Sequence, residues 1–194
     1  MNGPERFLVV AATARELAVP IGWRTVRCGV GPVEAALATA AAIAERRPAA
    51  VLHVGIAGAR RGSTLAPPML VIGDAALYCD LDVPPEWAPR EIPGSALLIA
   101  AARRVVPTAS VRRIGTSARV GGSMTDRSTC DVEAMEGFGV LRAAQLAGIP
   151  ALEVRAIANH IEETDRALWR FDDAFEAITA VTPLLVAEFA LCVP

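Results

Sequence analysis

The sequence predicts an α/β fold, with a mainly parallel, mixed central sheet and helices on both faces, in one domain over residues 1–194. Three observations carry that expectation. Apolar runs such as "RFLVVAATA" (6–14) and "AAVLHVG" (49–55) are continuous, as in strands buried on both faces. Alanine-rich helical segments separate such runs, and the alternation continues along the chain without a repeat or a low-complexity linker. The 194 residues, 53% of them hydrophobic, suffice for one domain with a sizeable core.

The elements follow in order. "RFLVVAATA" is the first strand and "WRTVRCGV" (23–30) the second. "GPVEAALATAAAIAERR" (31–47) reads as a helix with Pro32 at its first position and Pro48 as its stop. "AAVLHVG" is a buried strand entering a glycine turn, "GIAGARRG", and "MLVIGDAALYCDLDV" (69–83) is one or two strands with a kink near Gly73. A helix over 94–106 and a strand over 110–120 come next, then a helix over roughly 133–147, closed by Gly148 and Pro150. "ALEVRAIAN" (151–159) is a strand and "HIEETDRALWR" a loop. The final helix, 172–191, carries an internal Pro183 that would kink it.

Composition excludes several function classes. A formal net charge of −2 leaves no electrostatic footprint for nucleic acid or an anionic membrane. No uninterrupted apolar run reaches the roughly 20 residues of a membrane span, and the start lacks the pattern of a signal peptide, so a cytoplasmic protein is expected. Cys28, Cys79, Cys130 and Cys192 lie far apart and His53 and His160 are the only histidines, so neither a disulfide framework nor a metal site is expected. All 19 basic residues are arginine, which excludes a Schiff-base lysine, pyridoxal-phosphate chemistry and a Walker A loop. No cofactor is expected.

Ligands of such sheets bind at the carboxyl ends of strands, which directs attention to a few polar residues. Glu16 follows the first strand, Glu136 lies in an apolar segment, and Asn159 ends a strand; all three can converge on one cleft. Glu133 reads as a helix-start acid favoured by the helix dipole. Glu153 and Arg155 share one face of their strand and read as a structural ion pair. "CGVGPVEAA" fails as a dinucleotide fingerprint, because Glu34 stands where the third glycine belongs. For Glu136 a buried carboxylate requires partners, and paired sugar hydroxyls would supply two donors.

These residues carry a resemblance. "EAMEGFGVLRAAQLAGIPALEVRAIAN" resembles the C-terminal signature of the nucleoside phosphorylase/nucleosidase superfamily, "HVGIAGA" its glycine-rich turn and "CGVGPVEAA" its helix start. "RAIANHIEETDRALWRFDDAFEAI" is similar to the futalosine-hydrolysing nucleosidases of the menaquinone pathway, a branch of that superfamily. The resemblance implies a phosphorylase/hydrolase-like three-layer fold. It also implies cleavage of an N-glycosidic bond, with hypoxanthine and dehypoxanthine futalosine as products. Glu136 matches the glutamate that accepts hydrogen bonds from the ribose 2′- and 3′-hydroxyls, Met135 packs beside the ribose, and Glu16 matches the acid that activates water. Asn159 stands where adenine-releasing relatives carry aspartate, and its amide can donate to a 6-oxo group and to N7, which favours hypoxanthine. Because an amide cannot act as a general acid, the proton for the leaving purine comes from a bound water or from Asp165. The resemblance further places Ala57, Gly58, Ser117, Ala118 and Val120 against the substrate; for "HIEETDRALW" one reading is a capped loop, with Asp165 on the turn and Trp169 packed, and the other pairs Arg166 with the carboxylate of the substrate's benzoate tail. Ser117 stands where phosphorylases bind phosphate and leaves hydrolysis and phosphorolysis both open.

The partner implied is a small-molecule nucleoside, with a homodimer or larger homo-oligomer as the assembly and neither nucleic acid nor membrane. Alternatives are a purine nucleoside phosphorylase or a methylthioadenosine/adenosylhomocysteine-type nucleosidase, and third a nucleoside-binding module without turnover.

Overall fold

Strand β1 (Phe7–Ala11) is buried along its whole length, and its residues alternate between two cores. Phe7, Val9 and Ala11 face one apolar cluster while Leu8 and Val10 face another. A strand covered on both faces has no polar side, which is why its sequence is a continuous apolar run. The computed structural model describes residues 3–123 and 130–193.

The remaining elements are β2 (Arg24–Arg27), α1 (Pro32–Glu45), β3 (Ala50–Ala59), β4 (Leu70–Tyr78), β5 (Glu91–Pro93), α2 (Ala96–Val105), β6 (Ser110–Thr116), β7 (Val132–Ala134), α3 (Gly137–Leu146), β8 (Ala151–His160) and α4 (Phe171–Cys192). The eight strands form a mixed sheet in the order β2-β1-β3-β7-β6-β4-β5, and β8 joins β3 to β4. Thus β3, β8, β4, β6 and β7 close into a ring around Ala57, Ala59, Val71, Ile114, Val132 and Ile157. Helices α2 and α4 cover one face through Leu98, Ala101, Ile178, Leu185 and Phe189. Helices α1 and α3 cover the other through Ala35, Ile43, Phe138 and Leu141. The expected sheet between helical layers is present.

Three local expectations are corrected. The glycine turn after "AAVLHVG" is strand, because β3 runs on through Gly55 and Gly58 to Ala59, paired with β8 throughout. Residues expected to begin a helix at 133 form β7 instead, because Glu133 pairs with Gly58 and Gly115 of the flanking strands. Helix α3 starts only at Gly137, with Glu136 as its N-cap residue. The strand expected to reach residue 120 ends at Thr116. Helix α4 is long and apolar enough, in length and composition alone, to match a membrane span, yet its apolar face packs on the sheet. Pro183 lies within it and the helix continues.

Gly139 has a packing reason. A Cβ there would lie 2.3 Å from the Pro32 carbonyl oxygen, so this glycine sets the close approach of α3 to α1. The expected stop of α3 also forms: Gly148 adopts φ +64°, and Ile149 N–H donates to the Ala144 carbonyl.

Candidate active site

The site opens where one edge of β3 lacks a strand neighbour. On that edge β1 pairs as far as His53 and β7 begins at Gly58. The Ile56 N–H in the gap donates instead to Glu16 Oε1 at 3.1 Å. Glu16 closes the single 3-10 turn Ala14–Glu16 that follows β1. Its Oε2 accepts from Thr13 N–H and Thr13 Oγ1, each at 2.8 Å. Three donors thus fix a buried carboxylate at the sheet edge, and Oε1 keeps a further lone pair for a ligand.

Glu136 arrives from the opposite direction. Because β7 is antiparallel to β3, each step beyond Ala134 returns along the β3 edge, which brings Glu136 beside Arg155 of β8. Glu136 Oε1 accepts from Gly31 N–H and Oε2 from Arg155 Nη2, both at 3.2 Å. Arg155 has no solvent exposure; it also bonds Glu153 Oε1 at 2.8 Å and, through Nη2, His53 Nε2. Burial opposes the Arg155 charge, but the carboxylates of Glu153, Glu136 and Glu16 outweigh it and raise its pKa above the usual value.

Partner chemistry fixes the His53 tautomer. The Val10 carbonyl can only accept, so Nδ1, 3.0 Å away, carries the proton, and Nε2 accepts from a guanidinium that can only donate. Burial and then the Arg155 charge lower the His53 pKa, so the imidazole is neutral. Burial raises the Glu153 pKa, against the pull of Arg155. Two glycines make room for this network. A Cβ at Gly55 would meet Arg155 Nη1 at 2.3 Å, and one at Gly137 would meet Glu153 Oε2 at 2.1 Å. Burial, with Glu136 nearby, pushes the Cys28 thiol up to about 12, so it is no nucleophile.

Asn159 ends the same wall. It pairs in register with Gly58, is buried, and donates from Nδ2 to the His160 carbonyl at 2.8 Å. Glu16, Glu136, Asn159, Met135, Ala57, Gly58, Val120 and Arg166 all line one cavity of about 270 Å³. Ser117 and Ala118 are not on its wall. The Ser117 hydroxyl accepts from Arg119 N–H, and Ala118 N–H donates to Asp80. Asp165 is also off the wall; its carboxylate caps the turn at Ala167 N–H.

Several contributors were not apparent in the sequence. Glu133, expected to be a solvated helix-start acid, is a buried strand residue bonded to Arg60 and Ser123. Glu153–Arg155 is an ion pair as expected, but Arg155 also reaches Glu136 and His53, a connection that only the parallel β3–β8 register creates. The mouth is aromatic: Trp169, Phe171 and Phe175 line it, and the Arg166 guanidinium lies 5.3 Å from the Trp169 ring. The segment "WRFDDAF" carried that signal in its aromatic spacing. Among the described residues no cluster of ligating side chains suits a metal ion.

The sequence model of the phosphorylase superfamily matches residues 24–190. A futalosine hydrolase of Streptomyces coelicolor is 34% identical over 186 residues, covering 83% of this chain and 77% of that protein. A futalosine hydrolase of Thermus thermophilus is 26% identical, covering 86% and 82%. Among solved structures, a mutant futalosine hydrolase of Helicobacter pylori superposes with a TM-score of 0.78 at 18% identity, covering 94% of this chain and 96% of the other. A methylthioadenosine/adenosylhomocysteine nucleosidase of Colwellia psychrerythraea in complex with adenine gives 0.79 at 19%, covering 96% and 95%. At those identities the structural likeness speaks for the fold.

Proposed function

The chain belongs to the phosphorylase superfamily, and we propose that within it this protein is a nucleosidase that hydrolyses the N-glycosidic bond of futalosine, a step of menaquinone biosynthesis. The products are hypoxanthine and dehypoxanthine futalosine. The observation that carries this reading is the convergence of Glu16, Glu136 and Asn159 on one cavity, in a chain 34% identical to a futalosine hydrolase.

Each role follows from what the side chain still has to offer. Glu136 holds Gly31 and Arg155 with one lone pair from each oxygen, leaving acceptors for the ribose 2′- and 3′-hydroxyls. Its charge beside the ribose stabilises positive charge as C1′ becomes oxocarbenium-like. Glu16 takes the proton of the attacking water as the new C1′–O bond forms and the C1′–N bond breaks. Met135 packs on the sugar. Asn159 Nδ2 has one N–H on the His160 carbonyl and a second for O6 or N7 of a 6-oxopurine. The leaving purine takes its proton from water, since Asp165 is committed to its turn. Arg166 at the mouth, next to Trp169 and Phe171, receives the carboxylate of the benzoate tail. With Ser117 off the cavity wall, water is favoured over phosphate as the nucleophile.

The proposed setting is one nucleosidase domain in a cytoplasmic homodimer or larger homo-oligomer. Val30 before α1 and Val33 and Leu37 four apart on it are exposed apolar residues, and Val30 also lines the cavity, so this segment suits a second copy of the chain. The four cysteines are free, as a reducing compartment allows. The test is to incubate the protein with futalosine, inosine and methylthioadenosine, with and without phosphate, and to follow free base. Phosphate-independent hypoxanthine from futalosine is expected; adenine from methylthioadenosine would overturn the role of Asn159.

A further inference from the structure

We propose that Glu133 is a positioning residue: with Arg60 it latches the segment Val120–Ser123 as the wall of the purine-binding end of the cavity. The proposal rests on the nucleosidase reading only for the nature of the ligand. Glu133 is 5% exposed, lies on the cavity wall, and has no part in glycosidic cleavage as described above. A carboxylate buried at such a place requires donors, and among the described residues Ser123 of the wall and Arg60 of its support supply them.

Register puts Glu133 at the base end. On β3, Gly58 pairs with Asn159 on one side and with Glu133 on the other. A Cβ at Gly58 would lie 3.2 Å from Asn159 Nδ2, so the base-reading amide sits directly over this glycine. From the adjacent position Glu133 Oε2 accepts from Ser123 N–H at 2.7 Å, and Oε1 from Ser123 Oγ at 2.9 Å. The Arg60 guanidinium bonds the same Oε1. Arg60 is itself anchored, through Nε to the Cys130 carbonyl at 3.0 Å and through its backbone N–H to the Asp131 carbonyl at 2.8 Å. The latch therefore ties the end of β3 and the start of β7 to the segment that faces the ligand.

That segment needs such an anchor. Arg119, Val120, Gly121 and Gly122 all line the cavity, and Gly121 and Gly122 have φ of +92° and +81°. Two successive glycines in that region give the backbone wide freedom when it is not held. Gly122 is seated against the latch: a Cβ there would be 2.6 Å from Ile161 and 2.9 Å from Glu133 Oε2. With the latch intact the wall is ordered before the ligand arrives. Without it the ordering cost falls on binding, which weakens affinity while Glu16 and Glu136 stay in place.

Calorimetric binding of hypoxanthine, beside kcat and KM on futalosine, tests the latch in the full-length protein. Glu133→Gln keeps an acceptor for Ser123 N–H and loses the ion pair; hypoxanthine affinity and 1/KM should fall about tenfold or more with kcat within about threefold, as loss of a charged hydrogen bond implies. Ser123→Ala removes only the hydroxyl contact and should weaken binding severalfold, and Ser123→Thr, which keeps a hydroxyl, should restore it. Wild-type affinity in both Glu133→Gln and Ser123→Ala, or a loss of kcat with binding unchanged, overturns the latch, as does a wild-type protein that binds neither hypoxanthine nor adenine. A wild-type protein that binds hypoxanthine in the predicted variant order but releases none from futalosine refutes the substrate reading and supports the latch.

Discussion

Replacing Arg155 by methionine removes the cation set between Glu153 and Glu136, at 2.8 and 3.2 Å, and leaves an apolar chain of similar reach. Arg155 and Glu153 have no solvent exposure, so the stranded Glu153 carboxylate cannot be rescued by water. Breaking a buried pair by deleting one partner costs about 3–5 kcal/mol. At this chain length each kcal/mol moves Tm by about 2–4 °C, so a fall of roughly 6–20 °C is expected. The pH dependence has a definite sign. Burial raises the Glu153 pKa above 4.5 against the pull of Arg155, and without Arg155 it rises further. The folded variant then holds a proton that the unfolded chain releases above 4.5, so its stability falls as pH rises from there through the folded pKa. Thermal unfolding followed by circular dichroism near neutral pH and near pH ~5 reads both effects. A Tm at neutral pH within about 2 °C of the wild type, or a deficit that grows on acidification, would refute the reasoning.

Glu136→Gln and Glu16→Gln should each lower kcat on futalosine by about a hundredfold or more with folding intact, checked by steady-state kinetics beside circular dichroism. Asn159→Asp should raise adenine release from methylthioadenosine relative to hypoxanthine release from futalosine, measured by chromatography of the free bases. Arg166→Ala should raise KM for futalosine about tenfold or more, while leaving inosine, which has no carboxylate tail, unchanged. His53 is held neutral in the fold, with its pKa lowered by burial and by Arg155, so its contribution is complete above 6.5 and is lost as pH falls below that value. Denaturant titrations should show stability declining by up to about 1.4 kcal/mol per pH unit there, with a smaller slope in His53→Gln.

The layered fold was legible because burial on both sheet faces leaves an unambiguous pattern, as in Phe7–Ala11. What was not legible depended on register. "VEAMEGFGVL" carries helix-compatible spacing, yet Glu133 is strand because Gly58 and Gly115 offer it backbone partners from distant parts of the chain. Likewise Gly55 and Gly58 read as turn signals, whereas they are strand positions emptied of Cβ so that Arg155, Glu16 and Asn159 can occupy the space. The cavity did gather Glu16, Glu136 and Asn159, each near the carboxyl end of a strand: Glu16 in the turn after β1, Glu136 just past β7 and Asn159 in the last residues of β8. Ser117 and Ala118 fell outside because β6 ends at Thr116, and the turn behind it spends their polar groups on Arg119 and Asp80. The Glu153–Arg155 pair was legible from its strand spacing, but its link to His53 had no local signal, since His53 and Arg155 lie on different strands and meet through the pairing of Gly55 with Arg155.

In the proposed reaction water, placed by Glu16 over a ribose held by Glu136, displaces hypoxanthine. Turnover of futalosine in phosphate-free, heavy-oxygen water, with both products followed by mass spectrometry, tests this most directly. Hydrolysis gives unlabelled hypoxanthine and one heavy oxygen in the ribosyl product. Absence of that label, or release of base only when phosphate is supplied, would contradict it.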